Sequence, residues 1–575
     1  MLQQTEIVGE INNTEINQEI SNEADQRQDH RNGEEEVTKA RNTEQRPTTS
    51  KKGKQKVTRK KWTWDKKFKL SNDFPDFDLD LNYPKEDFDP VPMDYFKDYY
   101  DDDFFETVAT QTNIHYHQVN GKILNTNATE IRRLIGVTLL MSTLKYPRIN
   151  KYWSTHFRVS LIADNITIDR YFLLRNTVHL VDNNSLSEQQ KSEDRLWKVR
   201  PLIDKFRNAV LKLPREKNVC IDEQIIPFAG HAGIRQYVPR KPNPTGLKVY
   251  VLAAASGIIL DFIIYQGANT NFPQDVNNKL GVGGRAVLKL TETCLPGTNV
   301  YFDRYFTGAI LLEQLHEKGI SATGTIMSNR FPNIGLKSDA ELKNMGRGSI
   351  DCKTREDGKI TIVKWMDNRG VIMASTIHSE VPHDNARRYS KVDKAYINIQ
   401  RPDIVRQYNT NMGGVDLVNR MIAAYRSYHR TKKWPVRTLE HFMDMAVVNS
   451  WLKYKTDCKH HNVNSKKILD LHDFKIQVAQ ELILTSQKRK RSLIENEEHV
   501  PRKKCRGRPG LVPIPPQVVR SNQANHLPQA EDLSTAQRCR KEGCKGRSRI
   551  KCIKCDIFLC ILKERNCFRD FHLLR

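Results

Sequence analysis

Apolar residues recur at helical spacing in ATEIRRLIGVTLLMSTL, Ala128–Leu144, with Thr129 as the capping candidate. The same period returns in DRLWKVRPLIDKFRNAVLKL, Asp194–Leu213, so the pattern predicts a mostly helical region over 91–217. At residue 218 the texture changes. NVCIDEQIIPF, LKVYVLAAA, GIILDFIIYQG and NVYFDRYF are short runs rich in Val, Ile, Tyr and Phe, set off by Gly and Pro, and they read as strands. RYFTGAILLEQLHEKG, Arg304–Gly319, then reads as a helix closed by Gly319. Residues 331–399 return to strand signals in KITIVKWMD and GVIMASTI, and from 412 to about 485 the period is helical. A mixed sheet flanked by helices is the simplest account of this order.

Composition divides the chain further. Its 575 residues exceed the usual size of one domain. A formal charge of +25 points to a polyanionic partner, nucleic acid before others, with a ribosome-associated or merely soluble basic protein as the plainer reading. The longest apolar run, VYVLAAASGIIL (Val249–Leu260), is broken by Ser256 and Gly257 and falls short of the roughly 18 residues a membrane helix needs, so no membrane partner is expected. MLQQTEIVGEINN carries no signal-peptide pattern, which leads to an intracellular expectation with reduced cysteines. Residues 1–72 are polar, and residues 73–105 alternate acidic with aromatic or apolar side chains; residues 1–90 are expected to be disordered and of mixed charge. The acidic-aromatic stretch suits a partner-binding segment, or a shield over basic surface. Residues 486–535 form a basic, Pro-containing linker before a Cys-rich module at 536–575.

Three aspartates stand where chemistry would use them. Asp222 ends the strand NVCID, Asp303 ends NVYFD, and Asp416 opens a helix after Gly413 and Gly414. Three converging carboxylates can hold two Mg²⁺ ions for phosphodiester chemistry; a single aspartate at a strand end is ordinarily a turn or cap residue. YRSYHRTKKWPVR interleaves Arg426, Arg430, Lys432 and Lys433 with aromatics, a combination suited to phosphates and unstacked bases. Trp434 either stacks on such a base or anchors its helix in the core. Arg235, Tyr237 and Lys241 follow the first aspartate and are candidates for DNA contact or solvated turn residues. KRKR at 488–491 and RKKCRGRPG at 502–510 read as a bipartite nuclear localisation signal, predicting a nuclear protein; Arg506 and Arg508 within it resemble a minor-groove hook. Six of the eleven cysteines fall in the last forty residues. Cys539, Cys544, Cys552, Cys555, Cys560, Cys567 and His572 are candidate Zn²⁺ ligands, and a module so poor in apolar residues would draw its folding free energy from metal.

IDEQIIPFAGHAGIRQYVPRKPNPTGLKVYVLAAA (Ile221–Ala255) resembles the first catalytic block of piggyBac-type transposases, and VYFDRYFTGAILLEQLHEKGISATGTIMSNR (Val300–Arg330) the second. MGRGS (Met345–Ser349) and KWMDNRGVIMAST (Lys364–Thr376) resemble the intervening insertion, and QYNTNMGGVDLVNRM the third block. The resemblance runs from about residue 91 to the C-terminus. It implies an α/β RNase H-like catalytic core at 218–330 and 401–424 with a β-rich insertion at 331–400. It further implies a mostly helical, discontinuous DNA-binding and dimerisation domain at 91–217 and 425–485, and a small C-terminal zinc-binding Cys-rich domain. The implied catalytic triad is Asp222, Asp303 and Asp416 with Mg²⁺ (or Mn²⁺). Asn419 stands where many relatives carry a further aspartate; it offers a neutral oxygen to a metal-held water, so the site should work with three carboxylates and weaker metal affinity. The implied activity is cut-and-paste transposition: nicking, hairpin formation and opening at terminal inverted repeats of duplex DNA, then insertion at TTAA, by a homodimer. The alternative is a derived DNA-binding protein without transposition. For the tail, the resemblance implies two zinc ions in a cross-brace, with His526 as an eighth ligand. The C-x4-C spacing of Cys539 and Cys544, and the six residues between Cys560 and Cys567, depart from the family pattern and leave the ligand pairing open.

Overall fold

The computed structural model describes residues 62–71, 73–78, 88–239, 241–273, 280–331, 333–391, 393–494, 520 and 526–573. Its centre is a ten-stranded mixed sheet. The strands are β1 (Trp64–Asp65), β2 (Asn218–Pro227), β3 (Arg235–Tyr237), β4 (Thr245–Ala254), β5 (Ile259–Ile264), β6 (Asn299–Phe302), β7 (Ser321–Thr325), β8 (Ile350–Arg355), β9 (Thr361–Met366) and β10 (Gly370–Ser375). They lie in the order β1-β8-β9-β10-β7-β6-β2-β4-β3, with β5 on β4. The pairs β2–β6 and β6–β7 are parallel and the others antiparallel. β4 is buried along almost its whole length, which is why its sequence reads as a continuous apolar run rather than an alternating one.

Helices from two distant stretches pack into one another beside this sheet. Ala128–Leu144 lies against Leu471–Ile494. Gly136 permits the close approach: a Cβ there would stand 2.8 Å from the Ala479 carbonyl oxygen. The Trp434–His460 helix contacts both the Arg200–Leu211 helix and β2, so the helical part and the sheet share a continuous apolar core.

Several boundaries differ from the sequence reading, each for a local reason. The Ala128 helix is capped by Asn127, whose side chain accepts the Glu130 N–H, and not by Thr129. The second predicted helix begins at Arg200, where Pro201 fits the first turn, because Asp194 pairs with Arg200 instead of continuing the spiral. The third begins at Ala309, since Asp303 to Thr307 form a turn closed on the Asp303 carbonyl; it ends at Glu317 before Gly319, which takes the left-handed conformation at φ 69°. The helical stretch after 412 is interrupted by a loop, Tyr425–Lys433, and is preceded by a separate helix, Asp403–Asn411.

The expectation of disorder through residue 90 fails over residues 62–71 and 73–78. β1 pairs with β8 at the sheet edge. The Arg355 guanidinium lies 4.0 Å over the Trp62 ring, and Lys66 pairs with the buried Asp351 at 2.9 Å. Backbone at Pro75–Phe77 passes close enough to Gly297 that only a hydrogen side chain fits there. Composition favoured disorder; partners supplied from far along the chain provide the missing burial.

Within 331–400, β8–β10 extend the sheet, and β11 (Asp384–Ser390) and β12 (Ala395–Arg401) form a separate two-stranded ribbon. The Cys-rich module has its own small core of cysteines with Ile557, Leu559, Phe568 and Phe571. No described helix is long and apolar enough to cross a membrane.

Candidate metal centres and their surroundings

The parallel pairing of β2 and β6 sets Ile221 opposite Phe302. Asp222 and Asp303 are the next residues on each chain, so they occupy neighbouring positions on strands spaced about 4.8 Å apart. β6 stops there, and the turn that follows holds Asp303: its Oδ1 accepts the Tyr305 N–H at 2.8 Å. Asp222 is 9% exposed and its Oδ1 accepts the Glu223 N–H at 2.7 Å. Asp416 stands in the first turn of the Gly414–Ala424 helix and is exposed. That helix starts directly on β2 and β4. A Cβ on Gly414 would fall 2.1 Å from the Ala254 carbonyl oxygen and 2.9 Å from the Cys220 sulfur, so glycine is required for the contact. Cys220, Asp222 and Gln224 alternate onto one face of β2, the face this helix covers.

Burial pushes the Asp222 carboxyl well above the usual carboxylate range; Lys241 opposes the shift, and the charges of Glu223 and Asp416 add to it. Asp303 is also raised, chiefly by burial and against the Tyr305 N–H. Lys241 lies inside this acidic pocket. Its Nζ is 3.9 Å from Asp222 Oδ2 and 3.5 Å from Glu223 Oε1, and it donates to the Glu223 carbonyl at 3.4 Å. Burial works against its charge, yet Asp222 and Glu223 hold the ammonium above its ordinary range. Glu223, absent from the sequence-based candidates, is therefore part of the pocket; its place beside Asp222 in the Asp-Glu-Gln triplet was the available signal. The four carboxylates outnumber the lysines that act on them, Lys241 and, at Glu223, Lys248, and hard oxygen donors of this kind suit Mg²⁺ or Mn²⁺. The three aspartates are spaced more widely than the Cys/His sets described below, whose ligand atoms lie within 4.8 Å of one another.

Asn419 follows Asp416 by one turn and is half-buried. Its Oδ1 accepts from Gln224 Nε2 at 2.6 Å. Gln224 Oε1 in turn lies 3.2 Å from Nε2 of His441, on the Trp434–His460 helix. His441 is fully buried, and that burial pushes its imidazole down to about 3. It is neutral at physiological pH, and because the Gln224 oxygen can only accept, His441 Nε2 carries the hydrogen. The Asn419 oxygen expected to face a metal-held water is thus engaged by Gln224. Neither Gln224 nor His441 was a candidate from sequence, since 217 residues separate them.

The basic loop Tyr425–Lys433 is gripped through its backbone. Arg437 donates to the Ser427 and His429 carbonyls, Arg175 to those of His429 and Arg430, and Lys475 to that of Tyr425. Arg430, Lys432 and Lys433 are exposed, although Lys433 Nζ donates to the Asn176 carbonyl at 2.6 Å. Arg426 is half-buried, and burial lowers its affinity for the proton. Trp434 is half-buried against the core, on the anchoring side of its two readings. Arg235 donates to the Ala229 and Gly230 carbonyls, Tyr237 is 70% exposed, and Lys241 points at the carboxylates instead of outward. Arg506 and Arg508 lie outside the described residues.

In the tail, Cys539, Cys544, Cys560 and Cys567 form one group and His526, Cys552, Cys555 and His572 the other. Chain order interleaves the two, a cross-brace, and His526 takes its place as the eighth ligand atom. Tetrahedral Zn²⁺ with Zn–S near about 2.3 Å and Zn–N near about 2.0 Å spaces its ligand atoms by about 3.5–3.8 Å. Cys544 and Cys567 sulfurs are 3.6 Å apart, and Cys555 lies 3.3 Å from His526 Nδ1 and 3.5 Å from His572 Nε2. His572 Nδ1 donates to the Phe568 carbonyl at 2.7 Å, which leaves Nε2 free to coordinate. The Gly546 N–H, 3.4 Å from the Cys544 sulfur, together with neighbouring thiols lowers that thiol to about 7.

The chain can be set beside known proteins on these features. The family model described as Transposase IS4 matches residues 91–451. Human PiggyBac transposable element-derived protein 3 is 29% identical over 500 residues, covering 85% of this chain and 78% of that protein. Human PiggyBac transposable element-derived protein 2 is 30% identical over 376 residues, covering 64% and 62%. A solved piggyBac transposase, determined by cryo-EM as a synaptic complex with hairpin DNA, aligns at a TM-score of 0.59 and 19% identity, over 82% of this chain and 97% of that one. With most of its length matched in sequence and in fold, the chain belongs to the piggyBac-type transposase family.

Proposed function

We propose that the chain is a DDD-type cut-and-paste DNA transposase whose RNase H-like core cleaves and rejoins DNA phosphodiesters at TTAA sites through a hairpin intermediate. The observation that carries this reading is the β2–β6 register, which brings Asp222 and Asp303 to neighbouring positions, together with the packing on β2 of the helix that bears Asp416. Asp222, Asp303 and Asp416, with Glu223 beside them, would hold Mg²⁺ (or Mn²⁺). The bound metal would activate a water or 3′-hydroxyl and stabilise the leaving oxygen. The remaining work falls to the chain. Gly414 seats the Asp416 helix, Gln224 ties that helix to β2, and the Tyr305 N–H orients Asp303.

In this reading the helices of 91–217 and 425–485 form the DNA-binding and dimerisation domain around the core at 218–330 and 401–424, with the insertion at 331–400. Arg430, Lys432 and Lys433 contact phosphates, the cross-brace holds two Zn²⁺ ions and binds the element's terminal repeats, and the basic linker directs the protein to the nucleus. An excision assay in cells with a TTAA-flanked element bearing its own ends tests this. Excision by the wild type, abolished in Asp222→Ala, supports it; excision that persists in the variant removes it. A second reading, a DNA-binding protein without transposition, is favoured by Lys241, whose ammonium already occupies part of the acidic pocket. Failure of the wild type to bind Mn²⁺ while still binding DNA would select that reading.

A further inference from the structure

The ribbon β11–β12 is the feature of the insertion that the metal centres do not use. Its register pairs Asp384 with Arg401 through Ser390 with Ala395, and strand alternation gives it two unlike faces. The inner face packs Ala386 and Ile399 on Val363, Trp365 and Met373. Trp365 Nε1 donates to the Gln400 carbonyl at 2.8 Å, and Arg347 to the Tyr389 carbonyl at 3.1 Å. Arg347 and Arg388 both pair with Asp367. The ribbon is thus fixed to a packed base.

Its outer face carries three directly opposed pairs, Asn385 with Gln400, Arg387 with Asn398, and Tyr389 with Tyr396, all exposed. The tyrosine rings meet edge to face at 5.5 Å, and the Arg387 guanidinium lies 4.3 Å over the Tyr396 ring. Lys391 and Lys394 add exposed cations at the turn, where the Asp393 carboxylate is drawn back to the Ser390 hydroxyl at 2.6 Å. The paired outer positions hold no carboxylate. Two exposed tyrosines side by side, held in place and ringed by amides and cations, form a surface shaped for contact.

A two-stranded ribbon fits the major groove of B-form DNA, and Arg, Asn and Gln are the side chains that read guanine and adenine edges there. We propose that the outer face of β11–β12 docks in the major groove of duplex DNA, with Arg387, Asn398 and Gln400 toward base edges and Lys391 and Lys394 on flanking phosphates. This rests on the reading of the chain as a DNA-acting protein and assigns it a contact surface distinct from the carboxylate pocket.

The test uses the full-length protein and a short mixed-sequence duplex, with binding followed by fluorescence anisotropy across a salt series and by methylation protection of guanine N7, a major-groove atom. Lys391→Ala/Lys394→Ala should flatten the slope of log K against log[salt] by about 1.8, or about 0.9 for each lost phosphate contact. Arg387→Ala should weaken binding about tenfold and lose N7 protection, while Arg387→Lys keeps the salt slope but not the protection. All three substituted positions are exposed, and unchanged thermal melting verifies the fold. Wild-type protein that binds no duplex contradicts the function proposed above. Wild-type binding with unchanged slope and protection in the variants overturns the ribbon assignment alone. Loss of binding to single-stranded but not duplex DNA, or to an acidic peptide instead of DNA, also overturns it.

Discussion

Burial disfavours the ionised form of the Asp222 and Asp303 carboxyls, so their folded-state values rise above the unfolded value of about 3.9. Such a group contributes stability below the unfolded value and loses it as pH rises through the folded one. Asp222→Asn should therefore raise the melting temperature by a few degrees at pH 7 and flatten the decline in stability that sets in above the unfolded value of about 3.9. Thermal melts across pH check this, and a variant less stable than the wild type would refute it. Added Mn²⁺ should stabilise the wild type and leave Asp222→Asn nearly unmoved. Lys241 supplies the pocket's internal cation, so Lys241→Ala should tighten Mn²⁺ binding severalfold by isothermal titration; weaker binding would mean the ammonium positions the ligands rather than competing with the metal. At this scale Asp303 and Asp416 were legible, because one follows a strand end and the other opens a helix; Asp222, expected at a strand end, lies mid-strand, because β2 runs on through the apolar Ile225 and Ile226 to Pro227. Gln224 and His441 were not legible: their roles come from a hydrogen bond across 217 residues, and no local pattern encodes that. Lys241 looked like a surface cation for the same reason.

The Gly414–Ala424 helix is an element whose position is decided by two contacts, glycine against the Ala254 carbonyl and the Asn419–Gln224–His441 chain. Gly414→Ala should displace the helix start and reduce DNA cleavage by more than tenfold with the fold retained, as measured by turnover beside circular dichroism. Gln224→Leu leaves the His441 Nε2 hydrogen buried without its partner and should cost about 1–3 kcal/mol in denaturant unfolding. Asn419→Asp can still accept the Gln224 N–H and adds a charge beside Asp416, so it should lower the Mg²⁺ concentration needed for half-maximal cleavage. Helical period placed the Ala128–Leu144 helix, because its apolar spacing is local, although its cap is Asn127 and not Thr129. The loop at Tyr425–Lys433 escaped the periodicity because cations on other elements hold its carbonyls, and β1 escaped because its partner strand lies almost three hundred residues on.

Over the whole molecule, the chain combines a sheet whose inner strands β2 and β6 position Asp222 and Asp303, helices contributed by two distant segments, and a tail with two Cys/His groups suited to metal. The sheet was foreseeable from Val- and Ile-rich runs between Gly and Pro, whereas the cross-brace pairing needed three-dimensional proximity, since spacing alone allowed several partitions of eight ligands. The purified protein should carry two zinc ions per chain. Chelation should unfold the tail, read as new protease cutting within 526–573, while the melting of the sheet and helices stays in place. Cutting of the tail at the same rate with and without zinc would refute a structural metal. Asp222, Asp303 and Asp416 are proposed to form one cation-dependent site. Cleavage of a linear duplex bearing the element's terminal repeat, measured in Mg²⁺ and in Mg²⁺-free buffer for the wild type and for Asp222→Ala, Asp303→Ala and Asp416→Ala, tests it most directly. Mg²⁺-dependent strand cleavage by the wild type and a loss of at least about a thousandfold in each variant are expected; wild-type rates in Asp303→Ala, or cleavage indifferent to Mg²⁺, would contradict a shared cation site.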